Sequence, residues 1–238
     1  MIRTARVTGL LYLGLAIGGA FGFLLIRPQL FDPDNAAATL ANLVADPSLA
    51  RAGIVFELLT VLTQALAAVW FHRLFRQPAA FGIAAFGLAN AFAILISAAL
   101  LATALSVAED PYGDPAALVQ TLYLASDHLW GVGAIFFGLW LIPMGWCVLS
   151  SGLMPRALGW LLIAGGAGYV LSAFLRYALP DAALIADLLA YPATIGEFWM
   201  IGYLLIVGVR RTVTGARNAQ VISDETAPTR QTGSNQAA

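Results

Sequence analysis

The chain has 238 residues, 60% of them hydrophobic and 11% charged, with a net charge of −1 and a mean hydropathy of +0.82. A soluble domain carries about 25% charged and 45–50% apolar residues, so a single soluble core is excluded and lipid is the natural place for the excess apolar surface. Near-neutral charge removes the electrostatic case for nucleic acid. The lone cysteine, Cys147, excludes an internal disulfide, a CxxC redox pair and a cysteine-rich zinc site.

A bilayer core needs about 20 apolar residues per helix, and six runs meet that length: 5–26, 48–71, 80–106, 117–150, 156–178 and 192–209. The fold class expected is all-α, a polytopic bundle of six transmembrane helices over residues 1–211, followed by a polar, disordered cytoplasmic tail at 212–238. The first run opens with Arg3 and Arg6 like a signal peptide. Its apolar stretch from Val7 to Ile26 is too long for one, however, and no A-x-A-like site closes it before Arg27.

Between the first and second runs, Asp34 is placed to cap a short helix through Asn35 to Ala45. Leu40, Leu43 and Val44 form its apolar stripe, which suits a helix lying on the bilayer surface or a lid packed over the bundle. In the first run Gly14, Gly18 and Gly22 recur every four residues. Such small residues serve close packing inside the bundle, or pairing of two copies as a homo-oligomer. Pro143 is expected to kink the long fourth run.

The arginines set the orientation. Arg3, Arg6, Arg73, Arg76, Arg156, Arg210, Arg211 and Arg217 fall on one side of the six runs, against Arg27, Arg51 and Arg176 on the other. The positive-inside rule then puts both termini in the cytoplasm. The expected home is a bacterial plasma (inner) membrane, with the lipid bilayer as the first partner.

The starts of runs one and five are alike: Arg6-Val-Thr-Gly9-Leu-Leu beside Arg156-Ala-Leu-Gly159-Trp-Leu. Each even-numbered run holds an acid, Glu57, Asp127 and Glu197, at equal intervals of 70 residues. These patterns suggest three repeated helical hairpins related by an axis along the membrane normal.

Ionisable residues inside a span are costly and mark function. Here they are Glu57, Asp127, His128 and Glu197. Each acid follows a proline (Pro47, Pro115, Pro192) that opens its run, so all are expected in the outer half of the membrane, converging on an outward-facing acidic pocket. Gln64 shares a helix face with Glu57 and would line the same pocket. Asn90 and Ser97 are read as interhelical hydrogen bonds. Trp130, Trp140, Trp146, Trp160 and Trp199 fit interfacial belts, with Trp130, Tyr123 and Trp199 near enough to the acids to form a wall. His72, beside Arg73, is read as interfacial.

Three chemistries fit this set. A small solute, a cation or a proton would bind the acids, as in a transporter whose carboxylate (Glu57 or Glu197) is tuned by burial. A divalent metal, zinc or manganese, would be held by Asp127 and His128 with Glu57 or Glu197, as in an intramembrane hydrolase. In a scaffold or partner subunit, Arg51 and Arg176 would neutralise the acids and tie helices together. The sequence requires no cofactor. No nucleotide loop, G-x-S-x-G elbow, H-E-x-x-H pair or haem motif is present, so catalytic residues stay unassigned.

Four segments carry a resemblance: Ala5-Arg6-Val7-Thr8-Gly9-Leu10-Leu11-Tyr12-Leu13, Arg51-Ala52-Gly53-Ile54, Gly152-Leu153-Met154-Pro155-Arg156-Ala157-Leu158-Gly159, and Gly196-Glu197. Over about residues 3 to 210 the chain resembles the bacterial six-span family catalogued as domain of unknown function 4386 (DUF4386). The resemblance implies a fold and a membrane location, with an acid where Glu57 stands and a polar pair where Asp127 and His128 stand. It implies no mechanism.

Overall fold

In the computed structural model, which describes residues 1–210, six helices have the length and hydropathy to cross a membrane. The tail expected at 212–238 lies outside the described residues. α1 (Ile2–Gly19) runs through a stretch of wide π-type turns (Ala20–Ile26) into α2 (Arg27–Leu30), and the three make one rod. After the short α3 (Ala36–Ala45) come α4 (Pro47–Phe75), α5 (Ala80–Glu109), α6 (Pro115–Ser151) and α7 (Arg156–Ala178). A 3-10 turn (Pro180–Ala182) then leads into α8 (Ala183–Ile206).

Each spanning helix packs on its chain neighbours, and α1 closes against α8, so the six form a ring. Glycine sets the closest approaches. A Cβ on Gly18 would stand 2.4 Å from Thr60 Oγ1, and one on Gly22 would stand 3.2 Å from Phe56 Cβ. Gly14 likewise faces Thr63. All three glycines are therefore spent on the α1–α4 contact, which leaves the pairing of two copies without the surface that the spacing offered. Backbone close approach of this kind drives helix association in lipid.

The likeness of runs one and five survives in space at the glycines. Gly9 faces Leu204 and Leu205 on α8, and Gly159 faces Leu149 and Gly145 on α6. Each thus seats the helix that precedes its own in the ring. The equal spacing of the three acids does not survive. α8 begins at Ala183, so Pro192 lies inside the helix and not at its start. Glu197 is consequently nearer the Ile206 end, in the half of the bundle that carries the chain termini. The helix also continues through Pro143, whose ring packs over Gly82.

α3 is a lid. Its N-cap is Asn35, whose side chain accepts from the Ala38 N–H at 3.0 Å, in place of the expected Asp34. Asp34 instead donates its own N–H to Asp32 Oδ1. Leu43 is fully buried in a cluster with Ile26, Leu30, Leu101, Leu105, Val119 and Tyr123. Gln120 of α6 ties the lid down by donating to the carbonyls of Asp32 and Pro33 at 3.0 and 2.8 Å. A helix floating on the bilayer surface would bury no such residue against the bundle.

At the other end a larger core surrounds Tyr12, Phe71 and Trp140, whose rings meet edge to face. Trp140 is completely buried, contrary to its expected place in an interfacial belt. It fills the space left where Gly87 of α5 lacks a side chain. Trp146 and Trp160 are exposed, as a lipid-facing surface requires.

Candidate functional site

An arginine organises the site. Pro28 has no N–H, and its ring presses on the carbonyl one turn back. The wide turns at Ala20–Ile26 lie immediately before it. Wide turns of this kind rotate whatever follows them and are common at functional sites. Beyond them Ile26, Arg27 and Leu30 all face inward, and Arg27 is only 6% exposed.

The Arg27 guanidinium is met from three helices. Nη2 donates to Glu57 Oε1 of α4 at 2.8 Å and to Ser126 Oγ of α6 at 2.7 Å. Ser126 in turn shares a 2.7 Å hydrogen bond with Ser97 of α5. Trp130 Nε1 donates to the same Glu57 oxygen at 3.1 Å, and the Phe23 ring lies 4.8 Å from Arg27 Cζ. Asp127 approaches from α6, its Oδ1 3.7 Å from Arg27 Nη1. Glu57 is 2% exposed, whereas the Asp127 side chain is 45% exposed. Two carboxylates thus stand against one guanidinium. Glu57 takes the close contact, and Asp127 is left facing outward.

Asp127 opens onto a cleft of about 590 Å³ between α1, α6, α7 and α8. Its walls are largely aromatic: Phe23, Trp130, Phe137, Tyr169 and Tyr177. His128 and Arg176 stand on its rim, and Arg176 is held by Asp187 at 2.7 Å. The cleft lies in the half of the bundle away from the termini, where α1 and α8 are not closed by the Gly9–Leu204 seam.

Glu197 stands apart. It accepts a 2.6 Å hydrogen bond from the Tyr12 hydroxyl and lines a smaller cavity of about 150 Å³, nearer the termini. The three acids therefore do not share one acidic pocket. Glu57 and Asp127 meet at Arg27, and Glu197 belongs to a second chamber.

The remaining expected residues divide. Gln64 accepts from Asn90 Nδ2 at 2.9 Å and is fully buried one level below Glu57, so it does not line the cleft. Asn90 and Ser97 do make interhelical hydrogen bonds. Tyr123 stacks on Phe31 under the lid, and Trp199 turns outward, leaving Trp130 as the tryptophan of the wall. Arg51 pairs with Glu109 at the surface and Arg176 with Asp187, so neither neutralises the intramembrane acids as expected. Arg27 does that instead. His72 is exposed beside Arg73 and Arg76.

Among the described residues no three of His, Cys, Asp and Glu gather as a metal would require. The set Asp127, His128, Glu57 and Glu197 is broken up because Arg27 sits between two of the acids and Glu197 lies in the other chamber.

Residues 7–208 match the family described as Domain of unknown function (DUF4386). The chain belongs to that family. An uncharacterized protein of Archaeoglobus fulgidus is 29% identical over 92 residues, which is 39% of this chain and 49% of that relative. The chain thus matches about half the length of that relative. No solved structure matches. Family membership places Arg27, Glu57, Asp127 and Glu197 all within the matched segment.

Proposed function

We propose that the protein binds a small organic cation, such as a methylated ammonium, in the cleft beside Asp127. The observation that carries this reading is the leftover carboxylate. Asp127 touches Arg27 only at 3.7 Å, no hydrogen bond reaches it among the described residues, and it faces a cleft walled by five aromatic rings. Aromatic faces attract cations, the more so out of water, and a few placed polar groups in an apolar cleft are the ordinary form of a small-molecule site. Both nearby guanidinium groups are already engaged, Arg27 by Glu57 and Arg176 by Asp187. With the termini in the cytoplasm, as the arginine distribution argues, the cleft receives its solute from outside a plasma membrane.

The test is a titration of detergent-purified protein with tetramethylammonium, followed by tryptophan fluorescence, since Trp130 forms part of the wall. Saturable quenching, weakened at least about tenfold in Asp127→Asn, is the expected result; tenfold corresponds to about 1.4 kcal/mol. Quenching that never saturates, or that Asp127→Asn leaves untouched, would remove the cation reading and leave the charges as structural ties.

A further inference from the structure

We infer that the chamber around Glu197 is a second cation site, deeper in the bundle, which the same solute reaches from the Asp127 cleft through a window at Gly19. The inference rests on the reading of the cleft given above. The two cavities share three lining residues, Gly19, Trp130 and Phe137. A Cβ placed on Gly19 would meet nothing within 4 Å. Most other intramembrane glycines of this chain instead seat a neighbouring helix at under 3.5 Å, as Gly18, Gly138 and Gly165 do. Gly19 therefore serves no helix contact. It leaves space open at the place where the cavities meet.

The chamber has the composition of a cation site. Glu197 is its one carboxylate, surrounded by the hydroxyls of Tyr12, Thr60 and Thr194 and by the rings of Trp130, Phe137 and Phe198. None of the four ion pairs among the described residues includes Glu197. Tyr12 supplies Oε1 with its hydrogen bond, and among the described residues no donor reaches Oε2. A carboxylate within a span and without a cationic partner is costly, and a cation entering the chamber removes that cost. The size is suitable, because a cavity of about 150 Å³ in a protein core admits a molecule as large as benzene. Tyr12 is itself fixed edge-on to Phe71 and Trp140, so the hydroxyl that orients Glu197 is held by the rigid end of the bundle.

The path has an order. A solute at Asp127 lies beside Trp130, whose indole N–H is held by Glu57. Beyond Trp130, at the level of Gly19, it reaches Glu197. Two carboxylates in series, one in the half away from the termini and one in the half near them, are what stepwise passage of a cation through the bundle requires.

The experiment is equilibrium binding of radiolabelled tetramethylammonium to detergent-purified protein, comparing wild type with Gly19→Leu, Glu197→Gln and Asp127→Asn, each checked for folding by its thermal melt. The expected stoichiometry is about two per chain in wild type and about one in both Gly19→Leu and Glu197→Gln, with Asp127→Asn weakening the cleft site. Gly19→Leu carries the test if Glu197→Gln does not fold, since its side chain enters open space. A stoichiometry of about one, abolished by Asp127→Asn and unaffected by Gly19→Leu, would overturn the second site while leaving the cleft reading intact. No saturable binding to any of the four proteins would overturn both.

Discussion

Arg27 and Glu57, thirty residues apart in the chain, meet at 2.8 Å with both side chains almost wholly buried. The pair joins the first and second spans in the half of the bundle away from the termini and lies beneath the α3 lid. Buried pairs of this type gain little over a well-packed apolar pair of the same shape, but breaking one by removing a single partner costs about 3–5 kcal/mol. Arg27→Met should therefore destabilise the protein by that amount, because it strands Glu57. Adding Glu57→Met should restore part of the loss, with a coupling of about 1–3 kcal/mol. Denaturant unfolding in mixed micelles measures both, and strictly additive effects would show that the two residues act independently.

The surface pair makes the contrast. Arg51 and Glu109 are 58% and 45% exposed, and exposed ion pairs contribute about 0–1 kcal/mol. Arg51→Ala should shift the same unfolding curve by less than about 1 kcal/mol. A loss comparable to that of Arg27→Met would mean that Arg51 has a burying partner in the membrane.

Gly18 tests how the first span is seated. An alanine there would place its Cβ 3.0 Å from Thr60 N and 3.1 Å from Phe56 O, both backbone atoms that cannot step aside. Gly18→Ala should cost about 1–3 kcal/mol, the usual range for overpacking. Gly202, whose Cβ would meet nothing within 4 Å, should accept alanine with no loss. Equal behaviour of the two variants in a thermal melt would contradict the α1–α4 packing described above.

The lid should be separable from the bundle. Leu43 is 1% exposed and sits where α3 meets α5 and α6, so Leu43→Ala should cost about 2–5 kcal/mol of local stability. Hydrogen exchange gives a direct readout: amides of Ala36–Ala45 should exchange faster, while those around Trp140 keep their protection. Uniform acceleration across all helices would mean that the lid is not an independent unit.

The spans and the lid helix were legible because their signals are local. Hydropathy over some twenty residues marks a span, and an Asn or Asp ahead of a short apolar stripe marks a capped helix. The cap itself fell one residue from its expected place, since Asp34 and Asn35 are chemically equivalent candidates and only the turn geometry chooses between them. Arg27 escaped notice as a site residue for a different reason. It stands where the apolar run stops, so it reads as a topological marker, and its burial depends on a lid and on a carboxylate thirty residues away. Glu197 was placed at the wrong depth because Pro192 reads as a helix start, whereas α8 carries it internally. Pairing between distant segments sets the partners of buried charges, and no local pattern records it.

The wide turns of α1 have a consequence for how this span tolerates change. A π-type turn behaves as one extra residue slipped into an α-helix, and each residue of an α-helix advances the azimuth by about 100°. Deleting a single residue between Ala20 and Ile26 would let the segment relax to ordinary pitch, and everything after it would swing by roughly that angle. Arg27 would then point away from Glu57 and toward lipid, while the glycine seam below stayed in place. The first span thus has a reading frame of its own, and a lesion one residue long, in a stretch with no charged or polar side chain, would disable the site as thoroughly as removing the arginine.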